Sequence, residues 1–231
     1  MRSSKWHAHG NRYLLVEDER LTPARAKELS AGHQTDGVLE VLSVSGRSVE
    51  VAIWNPDGSR AELSGNGTRI AARWLLERGG QDEVEVRVGG RVSTARVVGA
   101  LIEQELGEVE VGPPEHFEGI EYVPVSVGNP HAVVQGDPAE IARIGPLLAR
   151  APRFPDGTNV QVVRVEAPGR VEARVWERGV GETSSSGTSA VAVAAATHGE
   201  GEVVVNFPGG ELEVRLEGGR AFLTGPAERL E

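Results

Sequence analysis

The sequence predicts an α+β chain made of two similar halves, each with many antiparallel strands, one surface helix and one buried helix. Three observations carry that reading. First, residues 176–198 (WERGVGETSSSGTSAVAVAAATH) leave a strand, pass a glycine-broken turn and three serines, and enter an apolar run at 190–196. That run has no polar face, so it reads as a helix buried on all sides. Second, the same order occurs earlier: Trp54-Asn55-Pro56-Asp57-Gly58, then Ser64-Gly65-Asn66-Gly67-Thr68, then an apolar helix over 70–76. Third, the two stretches are in register. Ser64 and Ser186, Trp54 and Trp176, and Asn55 and Glu177 are each 122 positions apart, the signature of a duplicated, pseudo-symmetric chain.

In order, residues 12–17 read as a strand. Thr22-Pro23 opens a helix with proline at its first position; it runs to Ser30 and stops near Gly32. Asp36-Gly37 is a turn, and 38–45 with 48–54 form a hairpin across Gly46-Arg47. Gly79-Gly80 ends the first buried helix. Residues 83–88 and 91–98 alternate around Gly89-Gly90 as a second hairpin, and 101–105 and 108–111 continue the sheet. Gly112-Pro113-Pro114 is the expected linker. It divides the chain into an N-terminal lobe, 1–113 joined by 226–231, and a C-terminal lobe, 114–225.

Past the linker, 122–127 is a strand that ends in Gly128-Asn129-Pro130-His131, and 132–135 continues it. Asp137-Pro138-Ala139-Glu140 offers an N-cap, a proline at N1 and a glutamate at N3, so a helix follows. Residues 154–159 are a turn, and 160–166 and 170–176 are strands. Residues 202–207 and 211–216 pair across Pro208-Gly209-Gly210, and 221–224 is the last strand.

Composition narrows the function. The 231 residues can bury a substantial core. With 24 Lys plus Arg against 34 Asp plus Glu, the formal charge of −10 argues against a nucleic-acid partner. The N-terminus has no signal-peptide core and no run reaches the roughly 18 apolar residues of a membrane span, so a cytoplasmic protein is expected. There are no cysteines, which excludes thiol catalysis, disulfides and cysteine metal sites. Lys5 and Lys27 are the only lysines and neither lies in a glycine-framed loop, so no pyridoxal phosphate site is expected.

The chemistry concentrates at the two serine turns. A chain that leaves a strand through glycines and small polar residues into a helix presents free N–H groups at the positive end of the helix dipole, a site for a carboxylate. Taken by themselves, Ser64 and Ser186 read as plain N-caps sooner than as catalytic groups. Glu177-Arg178 is a ligand clamp or a structural ion pair. His7 and His9, two apart on a strand, lack a third metal ligand, and a structural role suits them better. His116 and His198 read as surface residues, and Trp54 and Trp176 as core.

The blocks SKWHAHGNRYLLVE, WNPDGSRAELSGNGTR, VGNPHAVV, FPDGTNV, VWERGVGETSSSGTSA, FPGGELEV and FLTGPA, in that order, resemble the diaminopimelate epimerase family over nearly the whole chain. The resemblance implies two similar lobes, each a curved antiparallel sheet wrapped around a central buried helix, with the active site in the cleft between. It implies an enzyme without cofactor or metal, a small-molecule amino-acid substrate, a homodimer, and a place in lysine biosynthesis. By position, Asn11, Asn55, Asn129 and Asn159 match the substrate-binding asparagines. Glu177 and Arg178 match the pair that holds the distal end of the substrate. Gly65-Asn66 and Gly187-Thr188 match the two loops that cradle the α-carboxylate. Gly37 falls where many relatives carry a polar residue. His131 and His9 lie in matching blocks and are candidates to support acid–base chemistry.

The departure is at Ser64 and Ser186, which stand where the family has its two catalytic cysteines. Inversion needs two groups on opposite faces of a planar carbanion, with a base whose pKa is near working pH. A serine hydroxyl is a far weaker base than a thiolate unless a neighbour takes its proton. The expected activity is therefore slow or absent interconversion of LL- and meso-diaminopimelate. Two alternatives stand beside it: an isomerase of another substrate with a non-thiol base such as His131 or a serine-held water, and a catalytically silent amino-acid-binding paralogue. A serine hydrolase with Ser186 as nucleophile is disfavoured, because the chain has no GxSxG elbow.

Overall fold

Strands whose side chains alternate between two apolar faces must be covered on both, and that requirement shapes each half of this chain. The structure, a computed structural model, describes residues 1–61, 64–79 and 82–230. It divides into two units, Met1–Glu105 with Thr224–Glu231, and Leu106–Leu223. The expected linker at Gly112-Pro113-Pro114 lies inside the second unit, where the Gly112 N–H donates to Pro124 O at 2.9 Å.

In the first unit β1 (Arg2–Ala8) and β2 (Asn11–Glu17) form a hairpin. Its two-residue turn, His9-Gly10, holds both residues at positive φ, 49° and 78°, as a tight hairpin turn requires. In α1 (Pro23–His33) the Thr22 hydroxyl caps the first turn by accepting from the Arg25 N–H. The helix does not stop at Gly32. It stops at Gln34, whose left-handed backbone turns its N–H onto the Ser30 and Ala31 carbonyls. There follow β3 (Gly37–Ser45), β4 (Ser48–Trp54), β5 (Arg60–Ala61), α2 (Gly65–Gly79), β6 (Glu83–Val88), β7 (Arg91–Val98) and β8 (Leu101–Glu108). Gly80, expected to help end α2, lies outside the described residues.

The sheet is mixed rather than wholly antiparallel. β2–β3 and β4–β6 are parallel, while β1–β2, β3–β4, β6–β7 and β7–β8 are antiparallel. Each helix lies between two parallel strands, because such strands need a crossover that no hairpin can supply. Period-two alternation then sorts the side chains. Val38, Ala52 and Trp54 pack with Ala26 and Leu29 of α1. Leu39, Val51 and Ile53 pack with Ile70, Ala71 and Leu75 of α2.

The second unit repeats the scheme. β9 (Glu110–Val111) and β10 (Glu115–Phe117) precede β11 (Ile120–Ser126) and β12 (Pro130–Gln135). The helix expected after Asp137 opens as a 3-10 turn, Pro138–Glu140, with the Asp137 carboxylate accepting from the Ala139 N–H, and becomes α3 only at Ile141–Leu148. Then come β13 (Asn159–Ala167), β14 (Arg170–Glu177), β15 (Gly181–Thr183), α4 (Gly187–Thr197), β16 (Gly201–Phe207), β17 (Gly210–Glu217) and β18 (Arg220–Gly225). β19 (Glu228–Arg229) belongs to the first unit, where it pairs with β1. The ladders repeat as well: β11–β12 antiparallel, β12–β13 parallel, β13–β14 antiparallel, β14–β16 parallel, β16–β17 antiparallel.

α4 is the buried helix of this unit. Ala190 to Ala194 are fully buried among Val163, Val175, Val205 and Leu212. α3 covers the other face with Ile141, Ile144 and Leu148 against Val160 and Val162. It sits so close that a Cβ on Gly145 would come within 2.6 Å of Trp176. Among the described residues no helix is long and apolar enough to cross a membrane.

Candidate active site

In the first unit Ser64 immediately precedes α2, and its hydroxyl accepts from the Gly67 N–H at 3.0 Å. That is the N-cap role open to any serine there, and it leaves the N–H groups of Gly65 and Asn66 for an anion. Ser64 Oγ also lies 3.0 Å from the phenol oxygen of Tyr13, on β2. Asn66 is committed: its amide oxygen accepts from Arg69 one turn on. Arg69 is wholly buried, and burial lowers its guanidinium to about 10. Its Nε donates to Pro226 O at 3.4 Å, and its Nη1 has no hydrogen-bond partner among the described residues.

Asn55 closes the turn between β4 and β5, donating from its amide to Ser59 Oγ at 2.9 Å. Asn11 begins β2 opposite Ala8. Gly37 begins β3 opposite Tyr13, and a Cβ there would meet the tyrosine ring at 2.6 Å. The ring therefore occupies the space that a larger residue at position 37 needs. His9 sits buried in the left-handed turn after β1, while His7 Nε2 lies 3.4 Å from Glu228.

In the second unit Ser186 is the N-cap of α4 but makes no side-chain capping bond. Gly187, Thr188 and Ser189, the first residues of that helix, are buried. First-turn N–H groups that no side chain caps suit an anion, again at the positive end of the dipole. The two serines thus share a position and differ in their bonds.

His131 begins the polar layer beside α4. It is wholly buried, which pushes its pKa down to about 3. Gln161 Nε2 can only donate, so it fixes Nδ1 of the ring as acceptor at 3.0 Å. The proton then sits on Nε2, which donates to Asn129 Oδ1 at 3.0 Å. Gln161 Nε2 also reaches Ser189 Oγ at 2.9 Å. His131, a sequence candidate for acid–base support, is neutral at ordinary pH with both nitrogens engaged; in this arrangement it orients Asn129.

Asn159 braces the same region, donating to Pro130 O at 3.2 Å and accepting from the Arg178 N–H at 2.9 Å. Glu177 ends β14. Burial pushes its carboxyl up, while the Thr183 hydroxyl, donating to Oε1 at 2.6 Å, works the other way. Arg178 follows on the surface and lines a cavity of about 500 Å³ with Pro130, Arg153, Asp156 and Gly157. His198, expected at the surface, is half-buried: Nε2 accepts from the Gly169 N–H at 3.1 Å. Tyr13, Arg69, Gln161, Ser189 and Thr183 were not among the sequence candidates. The one signal for Gln161 was a polar residue inside an otherwise apolar strand.

Known proteins resemble this chain along its whole length. The family model described as diaminopimelate epimerase matches residues 3–116 and 123–230. A diaminopimelate epimerase of Corynebacterium glutamicum is 35% identical over 263 aligned residues, covering 97% of this chain and 94% of that protein. The solved structure of a predicted epimerase from Pseudomonas aeruginosa superposes with a TM-score of 0.76 at 16% identity, covering 100% of this chain and 97% of that one. A hydroxyproline epimerase from Agrobacterium vitis gives 0.70 at 16% identity, with coverages of 98% and 88%. At these identities the two structures speak for the fold.

Proposed function

The chain belongs to the diaminopimelate epimerase family, and from that premise we propose that it inverts the α-carbon of a diamino dicarboxylic acid, interconverting LL- and meso-diaminopimelate on the route to lysine. The observation that carries the reading is the matched pair of serines, each at the start of a buried helix in two units of one ladder pattern. Inversion needs two proton-handling groups, and the chain carries two serines at matching positions. The N–H groups of Gly65-Asn66 and Gly187-Thr188 suit the α-carboxylate. Glu177 and Arg178 suit the distal ammonium and carboxylate, with Asn11, Asn55, Asn129 and Asn159 as polar lining. Neutral His131 keeps the Asn129 amide turned one way for that task.

Loss of the α-proton to solvent deuterium is the direct test. Exchange from LL-diaminopimelate supports the reading; tight binding with no exchange favours a silent amino-acid-binding paralogue. The latter draws on Ser64 filling the N-cap role that any serine can fill at the start of α2. The Arg178→Ala variant tests the substrate class. It should weaken diaminopimelate by about tenfold or more, the scale of a charge-assisted pair, and leave a monocarboxylic amino acid nearly unaffected. Equal loss for both ligands would make Arg178 structural.

A further inference from the structure

The two units match closely around their buried helices, yet one position differs in kind. Tyr13 stands opposite Gly37 in the ladder as His131 stands opposite Asn159, and Gly37 and Asn159 are 122 positions apart. In the second unit that place holds an imidazole with both nitrogens turned to amides. In the first it holds a phenol 3.0 Å from Ser64 Oγ. Glycine at position 37 is what lets the ring lie there, since a Cβ would collide with it at 2.6 Å. Close by is the buried cation Arg69, which forms no ion pair with a carboxylate among the described residues and whose charge is coupled to Tyr13.

We propose that Tyr13 is the proton relay of Ser64, so that the phenol and hydroxyl together form the acid–base unit of the first half. The proposal rests on the reading of the chain as an α-carbon epimerase. Ser64 Oγ accepts the Gly67 N–H and, with its own proton given to Tyr13, presents its remaining lone pair to an α-proton. In the forward step the α-carbon–hydrogen bond breaks and its electron pair stays on carbon. The proton joins Ser64 Oγ while the former Ser64 proton passes to the Tyr13 phenolate. In reverse, neutral Tyr13 protonates Ser64 as Ser64 protonates the carbanion, and no atom or electron is left over. Tyrosine suits the task because a phenol can both give and take a proton, and this one lies within hydrogen-bond reach of Ser64 Oγ. On β1 Trp6 stands opposite Tyr13, and from α2 the buried Arg69 is coupled to it by charge. At the place matching Tyr13 the second unit has His131 instead, turned to Gln161 and Asn129, which makes the two halves unequal partners.

The experiment measures α-proton exchange of LL-diaminopimelate in deuterated buffer across pH. Tyr13→Phe keeps the ring over Gly37 and removes only the hydroxyl. In the parent background it should slow exchange by about tenfold or more with KM within about twofold, and abolish the rise of rate with pH. In a Ser64→Cys background, where a thiolate needs no relay, the same change should cost less than about threefold. Equal loss in both backgrounds, or no loss in the parent, overturns the relay and leaves the epimerase reading intact. So does a silent parent beside an active Ser64→Cys/Ser186→Cys protein. If neither protein exchanges the proton, the epimerase reading fails and the relay with it. Should Tyr13→Phe not fold, 3-fluorotyrosine at position 13 must move the pH–rate profile to lower pH; an unmoved profile overturns the proposal.

Discussion

At His131 burial keeps the ring neutral. A folded pKa of about 3 against an ordinary 6.5 means that the unfolded chain takes up a proton that the folded one refuses. Above pH 6.5 the ring is neutral in both states and stability does not change on its account. As pH falls from there toward 3, stability drops by at most about 1.4 kcal/mol per pH unit. Between pH 7.5 and pH 5 the parent should therefore lose about 2 kcal/mol more, by urea unfolding, than a His131→Gln variant. A variant with the same or a steeper pH dependence would place the proton uptake elsewhere. His131 stood out in the sequence by its block, but its state did not. Gln161 fixes it from 30 positions away and Ser189 completes the layer from α4, and no local pattern shows such a meeting.

Elements were legible where a single period runs long enough. The hairpins β3–β4, β6–β7 and β16–β17 and both buried helices follow from alternation or from an unbroken apolar run. The short strands β5, β10, β15 and β19 carry too few residues for alternation to show. The parallel pairs escaped notice because pairing direction is decided by the crossover, not by the strands it joins. Two glycines make the same point about packing. A Cβ on Gly32 in α1 would meet nothing within 4 Å, whereas one on Gly145 in α3 would meet Trp176 at 2.6 Å. Gly32→Ala should stabilise the chain by about 0.5–1 kcal/mol through helix propensity, while Gly145→Ala should destabilise it by about 1–3 kcal/mol as α3 is pushed off β14. Urea midpoints read both, and shifts of the same sign would mean that α3 and β14 do not pack as closely as described.

For the whole molecule, the 122-residue offset was the most informative line of the sequence, and the ladders extend it: Val38 pairs Trp54 as Val160 pairs Trp176, and Val41 pairs Val51 as Val163 pairs Ala173. What spacing could not show is that the repeated halves end in unlike serines. Ser64 is bonded to Gly67 and Tyr13, whereas Ser186 makes no capping bond. In the proposed reading duplication supplies the two proton-handling positions, and the unlike bonds of the two serines set how each is driven. Cysteine differs from serine by one atom, so substitution at both places should leave packing nearly unchanged, and a thiol at a helix start has its pKa lowered toward neutrality. The change Ser64→Cys with Ser186→Cys should therefore raise epimerisation of LL to meso isomer by about two orders of magnitude or more, the scale of a general acid–base group. The singles should not be equal. Ser64→Cys replaces a serine that already has a phenol beside it, so Ser186→Cys, which supplies the half without one, should give the larger gain. A double variant no faster than the parent would mean that neither serine position handles the α-proton, and equal singles would mean that the difference in their bonds has no kinetic weight.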